Sequence, residues 1–146
     1  MFFFKAGNTL CQRYVKSNNV QIDIQIDISG MAVGEEAGFS HFNGGKDYCT
    51  LGIKMNSTGK FIIYNHNGDI QNGELISSSI LWMRSEIDEH FINTYSYSTD
   101  GIKFKTFGGR YNLKWGGFRG DHIGIYNFNN QSESGHVDIN WFHYKF

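Results

Sequence analysis

Proline is missing from all 146 residues, cysteine appears only twice, and neither sign of charge dominates. Without proline, chain reversals fall to Gly, Asn, Ser and Asp, which tolerate positive φ or hydrogen-bond their own backbone. The two cysteines, Cys11 and Cys49, are too few for a disulfide framework. Two small buried thiols or a single bridge between neighbouring strands remain, and neither cysteine belongs to a close Cys/His cluster that would hold a metal. Thirteen basic against fourteen acidic residues leave a net charge of −1, which favours neither nucleic acid nor an anionic membrane as a partner. No stretch approaches the roughly 20 apolar residues of a membrane span. The opening Met1-Phe2-Phe3-Phe4 falls short of the roughly 7–15 apolar residues of a secretory signal. The sequence as it stands therefore carries the expectation of a soluble, cytoplasmic protein, which lapses if the chain is part of a longer one.

Aromatic residues make up 16% of the chain, and there are 18 glycines. That mixture suits a single all-β domain over 1–146, with tight turns between short strands. The cleanest local signal is Val20-Gln-Ile-Asp-Ile-Gln-Ile-Asp-Ile28, where apolar β-branched residues alternate with polar ones. Period two means an extended chain with one buried and one wet face. Further strands are expected over 37–42, 48–55, 60–65, 79–84, 91–98 and 103–107. His66-Asn-Gly-Asp69 and Asp100-Gly101 supply hairpin turns. The segment 29–36 reads as a loop.

Near the end, His122, Gly124, Tyr126 and Phe128 should share one face, opposite Ile123, Ile125 and Asn127. Val137, Ile139 and Trp141 should likewise oppose Asp138, Asn140 and Phe142. Trp82 and Trp141 fall in strand patterns and are expected in the core. The sum is about ten or eleven strands without a convincing helix, a two-sheet antiparallel sandwich of jelly-roll type.

Catalytic constellations are scarce. Glycosidase carboxylates sit about 5–5.5 Å apart in retaining enzymes and about 6.5–9.5 Å apart in inverting ones. Asp23 and Asp27 share a strand face at roughly 13 Å, too far for either. Glu35 and Glu36 are adjacent and point in different directions. The six histidines form neither His-x-His nor His-Glu-x-x-His, and no Gly-x-Ser-x-Gly occurs. A structural Ca²⁺ needs six to eight oxygens, which loops can supply. Asp138 is the best candidate ligand, with an exposed or turn-capping carboxylate as the plainer alternative. Sugar binding has better material. Tyr111, Trp115 and Phe118 lie in or beside the glycine-rich stretch 108–117, with Arg119 at hand for sugar hydroxyls.

Several segments in order resemble one family. They are Asn8-Thr-Leu-Cys-Gln-Arg13, Gly30-Met-Ala-Val-Gly-Glu-Glu-Ala-Gly-Phe39, Leu81-Trp-Met-Arg84, Tyr95-Ser-Tyr-Ser-Thr-Asp-Gly101, Phe118-Arg-Gly-Asp-His-Ile-Gly-Ile-Tyr126 and Val137-Asp-Ile-Asn-Trp-Phe142. Together they are similar to the β-sandwich that follows the catalytic propeller in family 43 glycoside hydrolases (β-xylosidases and α-arabinofuranosidases). The resemblance implies a concanavalin A-like sandwich without the family's catalytic carboxylates, which lie in the propeller. It also implies that Phe118 is either a wall of the propeller's sugar pocket or a plug at the end of the sandwich. Three functional classes follow: an accessory domain that docks on a propeller or self-associates, a free-standing module for xylan- or arabinan-type carbohydrate, and an enzyme with its own active site.

Overall fold

The computed structural model describes residues 8–13, 19–43, 47–114 and 121–145. Twelve strands are formed: β1 (Asn8–Arg13), β2 (Val20–Asp27), β3 (Glu35–Phe42), β4 (Tyr48–Asn56), β5 (Gly59–His66), β6 (Asp69–Ile76), β7 (Ile80–Ile87), β8 (Ile92–Ser98), β9 (Lys105–Thr106), β10 (Tyr111–Asn112), β11 (His122–Asn129) and β12 (Asp138–Lys145). One sheet runs β1-β11-β3-β4-β5-β6. The other runs β10-β8-β7-β2-β12, with β9 added alongside β8. Every pairing is antiparallel. No helix occurs among the described residues, and hence none long and apolar enough to cross a membrane.

The alternation of β2 places Ile22, Ile24 and Ile26 between the sheets, all fully buried. Each such side chain contributes about 1.5–3 kcal/mol of apolar burial, an upper estimate because the unfolded chain already hides some of that surface. Phe39, Leu51, Ile53 and Ile62 reach them from the facing sheet. Cys49 is a free, buried thiol, so no bridge joins it to Cys11. The Asn67-Gly68 turn has φ of 53° and 94°, the paired positive values of a type I′ hairpin.

The structure corrects four sequence expectations. The first is β6, which sequence patterning leaves unassigned. Its sequence, Asp-Ile-Gln-Asn-Gly-Glu-Leu-Ile, lacks a clean apolar face. Pairing with β5 holds it in place at the sheet edge, where Ile70 and Leu75 are 54% and 62% exposed. The second is Glu35 and Glu36, which open β3 instead of sitting in a loop. Glu35 is fully buried and accepts hydrogen bonds from the Ala32 N–H and the Asn127 side-chain amide at 2.8 and 2.7 Å.

The third and fourth are the tryptophans. Trp82 alternates with the core residues Leu81 and Met83 and so faces outward, half-buried. Trp141 faces outward as well, because the register slips between Ile139 and Trp141. A bulge of this kind inserts one residue and reverses the parity beyond it. Phe142, not Trp141, packs on the core beside Ile139.

The turns make the acid side of the stability profile predictable. The N–H groups of Lys103 and Ile102 and the Ser98 hydroxyl hold the Asp100 carboxylate down at about 2. Hydrogen bonds from Ser29 lower Asp27, and those from the backbone of Ile92 and His90 lower Asp88. Each depressed carboxylate adds stability that is complete above its ordinary value near 3.8 and is lost as pH falls through the folded-state value. Glu36 works the other way, raised chiefly by burial. Urea unfolding midpoints should therefore fall steadily from pH 5 to pH 2, and Asp100→Asn should flatten that slope. A midpoint constant over this range would contradict the assignment.

Candidate functional site

Asp47 before β4, Asn67 after β5, Asp88 after β7, and Arg110 and Lys114 on either side of β10 gather at one end of the sandwich. Exposed charge pairs tie them together, with Arg110 3.7 Å from Asp88 and Lys114 3.8 Å from Asp47. The Asn67 side chain bridges the Asp47 carboxylate and the Tyr48 N–H at 3.0 and 2.8 Å. This end carries residues 108–114 of the glycine-rich stretch singled out in the sequence.

Beneath it lies a buried polar chain that crosses between the sheets. Asp121 Oδ2 is 3.0 Å from His41 Nδ1, and His41 Nε2 is 2.8 Å from Ser85 Oγ. The Ser85 hydroxyl donates in turn to Asn93 Oδ1. His41 comes from β3 in one sheet, while Ser85 and Asn93 come from β7 and β8 in the other. His41, Ser85 and Asn93 are all fully buried. Asp–His–Ser in this order has the connectivity of a hydrolytic triad. Here the hydroxyl is sealed in the core and engaged with an amide, so no substrate carbonyl can approach it. Its chemistry is that of a cross-brace: it satisfies buried polar groups and pins Asp121, the residue that leads into β11. Beside it, the Tyr95 hydroxyl donates to the Cys49 carbonyl at 3.1 Å. Burial pushes both the Cys49 thiol and the Tyr95 phenol well above their ordinary values, which makes Cys49 an unreactive packing residue.

Sequence reasoning missed this brace, although a signal was present. His41 shares the inward parity of Ala37 and Phe39 on β3, so it had to enter the core and find partners there.

Of the expected sugar-contact residues, Trp115, Phe118 and Arg119 lie outside the described residues. Tyr111 requires a correction. It belongs to β10, pairs with Asn93 of β8, and is only 2% exposed. Its ring meets His66 edge-on at 5.4 Å. Short pairing with β8 draws this part of the stretch into the core, so Tyr111 offers no face to a sugar.

Asp138 stands opposite Asp27 across the β12–β2 pairing with its side chain 70% exposed, and His136 is 3.9 Å away. Among the described residues, no group of three or more His, Cys, Asp or Glu side chains is placed to hold a metal ion. The Asp27 carboxylate already accepts from the N–H and the hydroxyl of Ser29. This surrounding fits a Ca²⁺ shell poorly, since Ca²⁺ takes six to eight oxygens.

Asp23 and Glu36 are also occupied. Arg84 grips Asp23 with two hydrogen bonds, Nε to Oδ1 at 2.8 Å and Nη2 to Oδ2 at 3.1 Å. The Tyr126 hydroxyl donates to Glu36 at 3.0 Å. An open cleft of about 580 Å³ lies on the outer side of β2, β7 and β8, bordered by Glu86 and Asp88. These two carboxylates sit two residues apart on one wall, not across from each other. Asp88 is held ionised by its turn, so it cannot serve as the proton donor that glycoside cleavage needs.

Comparison with known proteins agrees with this picture. Residues 4–145 match the family described as the β-xylosidase C-terminal concanavalin A-like domain. A β-xylosidase of Formosa agariphila is 30% identical over 146 residues, which cover 99% of this chain and 24% of that protein. Among solved structures, a bifunctional GH43-CE protein of Bacteroides eggerthii superposes with a TM-score of 0.90 at 22% identity, over 99% of this chain and 20% of that one. A GH43 protein of Bacillus licheniformis gives 0.80 at 21% identity, over 97% of this chain and 30% of that one. The chain thus spans about a quarter of the length of the curated relative it matches. With its two-sheet antiparallel architecture and a match over nearly its whole length, the chain belongs to the β-xylosidase C-terminal concanavalin A-like domain family.

Proposed function

We propose that this domain is a non-catalytic accessory sandwich of a plant-polysaccharide-degrading glycoside hydrolase, which docks on a family 43 catalytic propeller and helps shape its sugar pocket. The observation that carries the reading is the family match over residues 4–145, set beside a β-xylosidase about four times as long. The fate of the carboxylates supports it, because Asp23, Glu35, Glu36 and Asp121 are all engaged in structural bonds. The edge strand β6 supports docking in particular. Its exposed Ile70 and Leu75 form the kind of apolar edge that proteins cover with a neighbour. A domain parted from its propeller would hide that edge by self-association.

In this reading Phe118 reaches the propeller and closes one side of the sugar pocket. The brace through Asp121 steadies the chain three residues beyond it. Coexpressed with its propeller, the domain should copurify as a one-to-one complex. Phe118→Ala should then lower kcat/KM on p-nitrophenyl β-xyloside about tenfold, as expected when a group that positions substrate is lost, while the complex itself persists. The pure domain should turn over no aryl glycoside. Turnover by the domain alone, or full activity of the propeller without it, would sink the reading.

A further inference from the structure

The outward face of the β12-β2-β7 sheet is not an ordinary solvated surface. Trp141 of β12 and Trp82 of β7 flank Gln25 of β2 in one register row. Two strand spacings separate them, about 9–10 Å. Both indoles are half-buried, each with an edge open to solvent. Two register steps along, on the same face, His143, Asp23 and Arg84 form the next outward row.

These side chains are held, not floating. Trp141 stacks on His143 with ring centroids 4.2 Å apart and planes 17° apart. The Asn140 amide donates to Gln25 Oε1 at 2.8 Å. Arg84 is clamped by Asp23 and lies 3.8 Å over the Phe104 ring. The Gly101 backbone lies against the Trp82 indole, so close that an added Cβ would sit 2.9 Å from the ring. Side chains ordered before binding lose less entropy when a ligand arrives.

Charge on this face comes in compensating sets. Arg84 neutralises Asp23, and Lys145 and Glu86 stand on either side of Gln21. The charges in these rows balance, and the excess on the face is Asp27 and Asp138, on the row beyond the tryptophans. An interface with another protein would be expected to centre on a cluster of apolar and aromatic residues depleted in charge. This face instead mixes two indoles with amide, imidazole, carboxylate and guanidinium groups. That is the chemistry that recognises a pyranose, whose C–H face stacks on an aromatic ring while its hydroxyls meet planar polar groups. The face also leads into the open cleft, which Gln21 and Lys145 border. Gln25 and Gln21 are four residues apart on one strand, roughly 13 Å.

We propose that this face is a binding site for a neutral oligosaccharide. The ligand lies along β2, with one end against Trp82 and Trp141 and the other in the cleft beside Gln21. The site is separate from Phe118 and independent of docking on a propeller, so its failure would leave the docking reading intact.

The test is an NMR titration of the ¹⁵N-labelled chain with xylohexaose, with cellohexaose and a heparin hexasaccharide in parallel. The three tryptophan indole N–H signals are assigned through Trp82→Phe, Trp115→Phe and Trp141→Phe. A neutral hexasaccharide should shift the Trp82 and Trp141 signals and leave Trp115 in place. Trp141→Ala should weaken binding about tenfold, the loss of one stacked ring. Gln25→Ala changes a half-exposed side chain without opening the core and should weaken it as well, which keeps the test sound if the tryptophan variant misfolds. The proposal is overturned by no response to either neutral sugar, by a response confined to Trp115, by binding of the heparin fragment alone, or by shifts that appear only when a propeller is added.

Discussion

Replacing His41 with alanine should destabilise the domain by about 3–5 kcal/mol, the loss expected when one partner of a buried charged or strongly polar pair is removed. His41 is fully buried and bonds on one side to Asp121, which leads into its own sheet, and on the other to Ser85 of the facing sheet. Its removal strips Asp121 of its partner at 3.0 Å and Ser85 of its partner at 2.8 Å, and opens a cavity the size of an imidazole between them. The Asp121 side chain is only 6% exposed, and its Oδ1 already lacks a hydrogen-bond partner among the described residues. Without the histidine it must be buried as an uncompensated carboxylate or take up a proton.

Ser85→Ala removes only the second bond and should be milder, about 1–2 kcal/mol. Pairing His41→Leu with Asp121→Leu should recover part of the loss, since two apolar groups need no partners. Urea unfolding monitored by tryptophan fluorescence would measure all three variants. A His41→Ala variant no weaker than Ser85→Ala would show that the brace is incidental.

Gly38→Ala should be the most damaging single methyl in the described sheets, at about 2–4 kcal/mol. Gly38 and Gly52 face each other across the β3–β4 pairing. An added Cβ at Gly38 would lie 2.3 Å from the Leu51 carbonyl oxygen and 2.5 Å from the Gly52 Cα. Both obstacles are backbone atoms of the paired strand, so no rotamer change relieves the clash and the strands must part. Gly52 in addition makes room for Tyr126. A Cβ at Gly52 would sit 2.5 Å from the Tyr126 hydroxyl, which is the group that bonds Glu36 at 3.0 Å.

Gly52→Ala should therefore also displace Tyr126, with a smaller loss because part of the obstruction is side chain. Thermal unfolding by circular dichroism would rank the two, and a Gly38→Ala variant within 0.5 kcal/mol of the parent, the range of ordinary surface substitutions, would contradict the close approach.

The limits of sequence reading show in particular residues. Where alternation was strict, as in β2, residue parity and burial agreed at every apolar position. In β12 the same reasoning failed at one point. The bulge between Ile139 and Trp141 leaves no mark in the alternation itself, so Trp141 and Phe142 beyond it were assigned to the wrong faces. Strand β6 failed for a different reason. An edge strand with little to bury is held by its neighbour's backbone, and its side chains carry little pattern. In the candidate site, Tyr111 looked like a loop residue because two residues are too short a strand for period two to register. Its burial came from pairing with Asn93, nearly twenty positions earlier in the chain.

By itself the sequence settled the class of the fold, the hairpin at Asn67-Gly68, most of the buried aliphatic residues and, through its resemblance, the family. Those properties are local or additive. Side-chain parity, turn chemistry and composition act within a few residues and need no partner to be read. Only the tertiary structure decided that His41, Ser85, Asn93 and Asp121 meet, that Gly52 leaves room for Tyr126, and that two tryptophans share an outward face. Each of these depends on which strands become neighbours and in what register. Pairing brings together residues dozens of positions apart, and a bulge of a single residue turns the side chains beyond it to the opposite face.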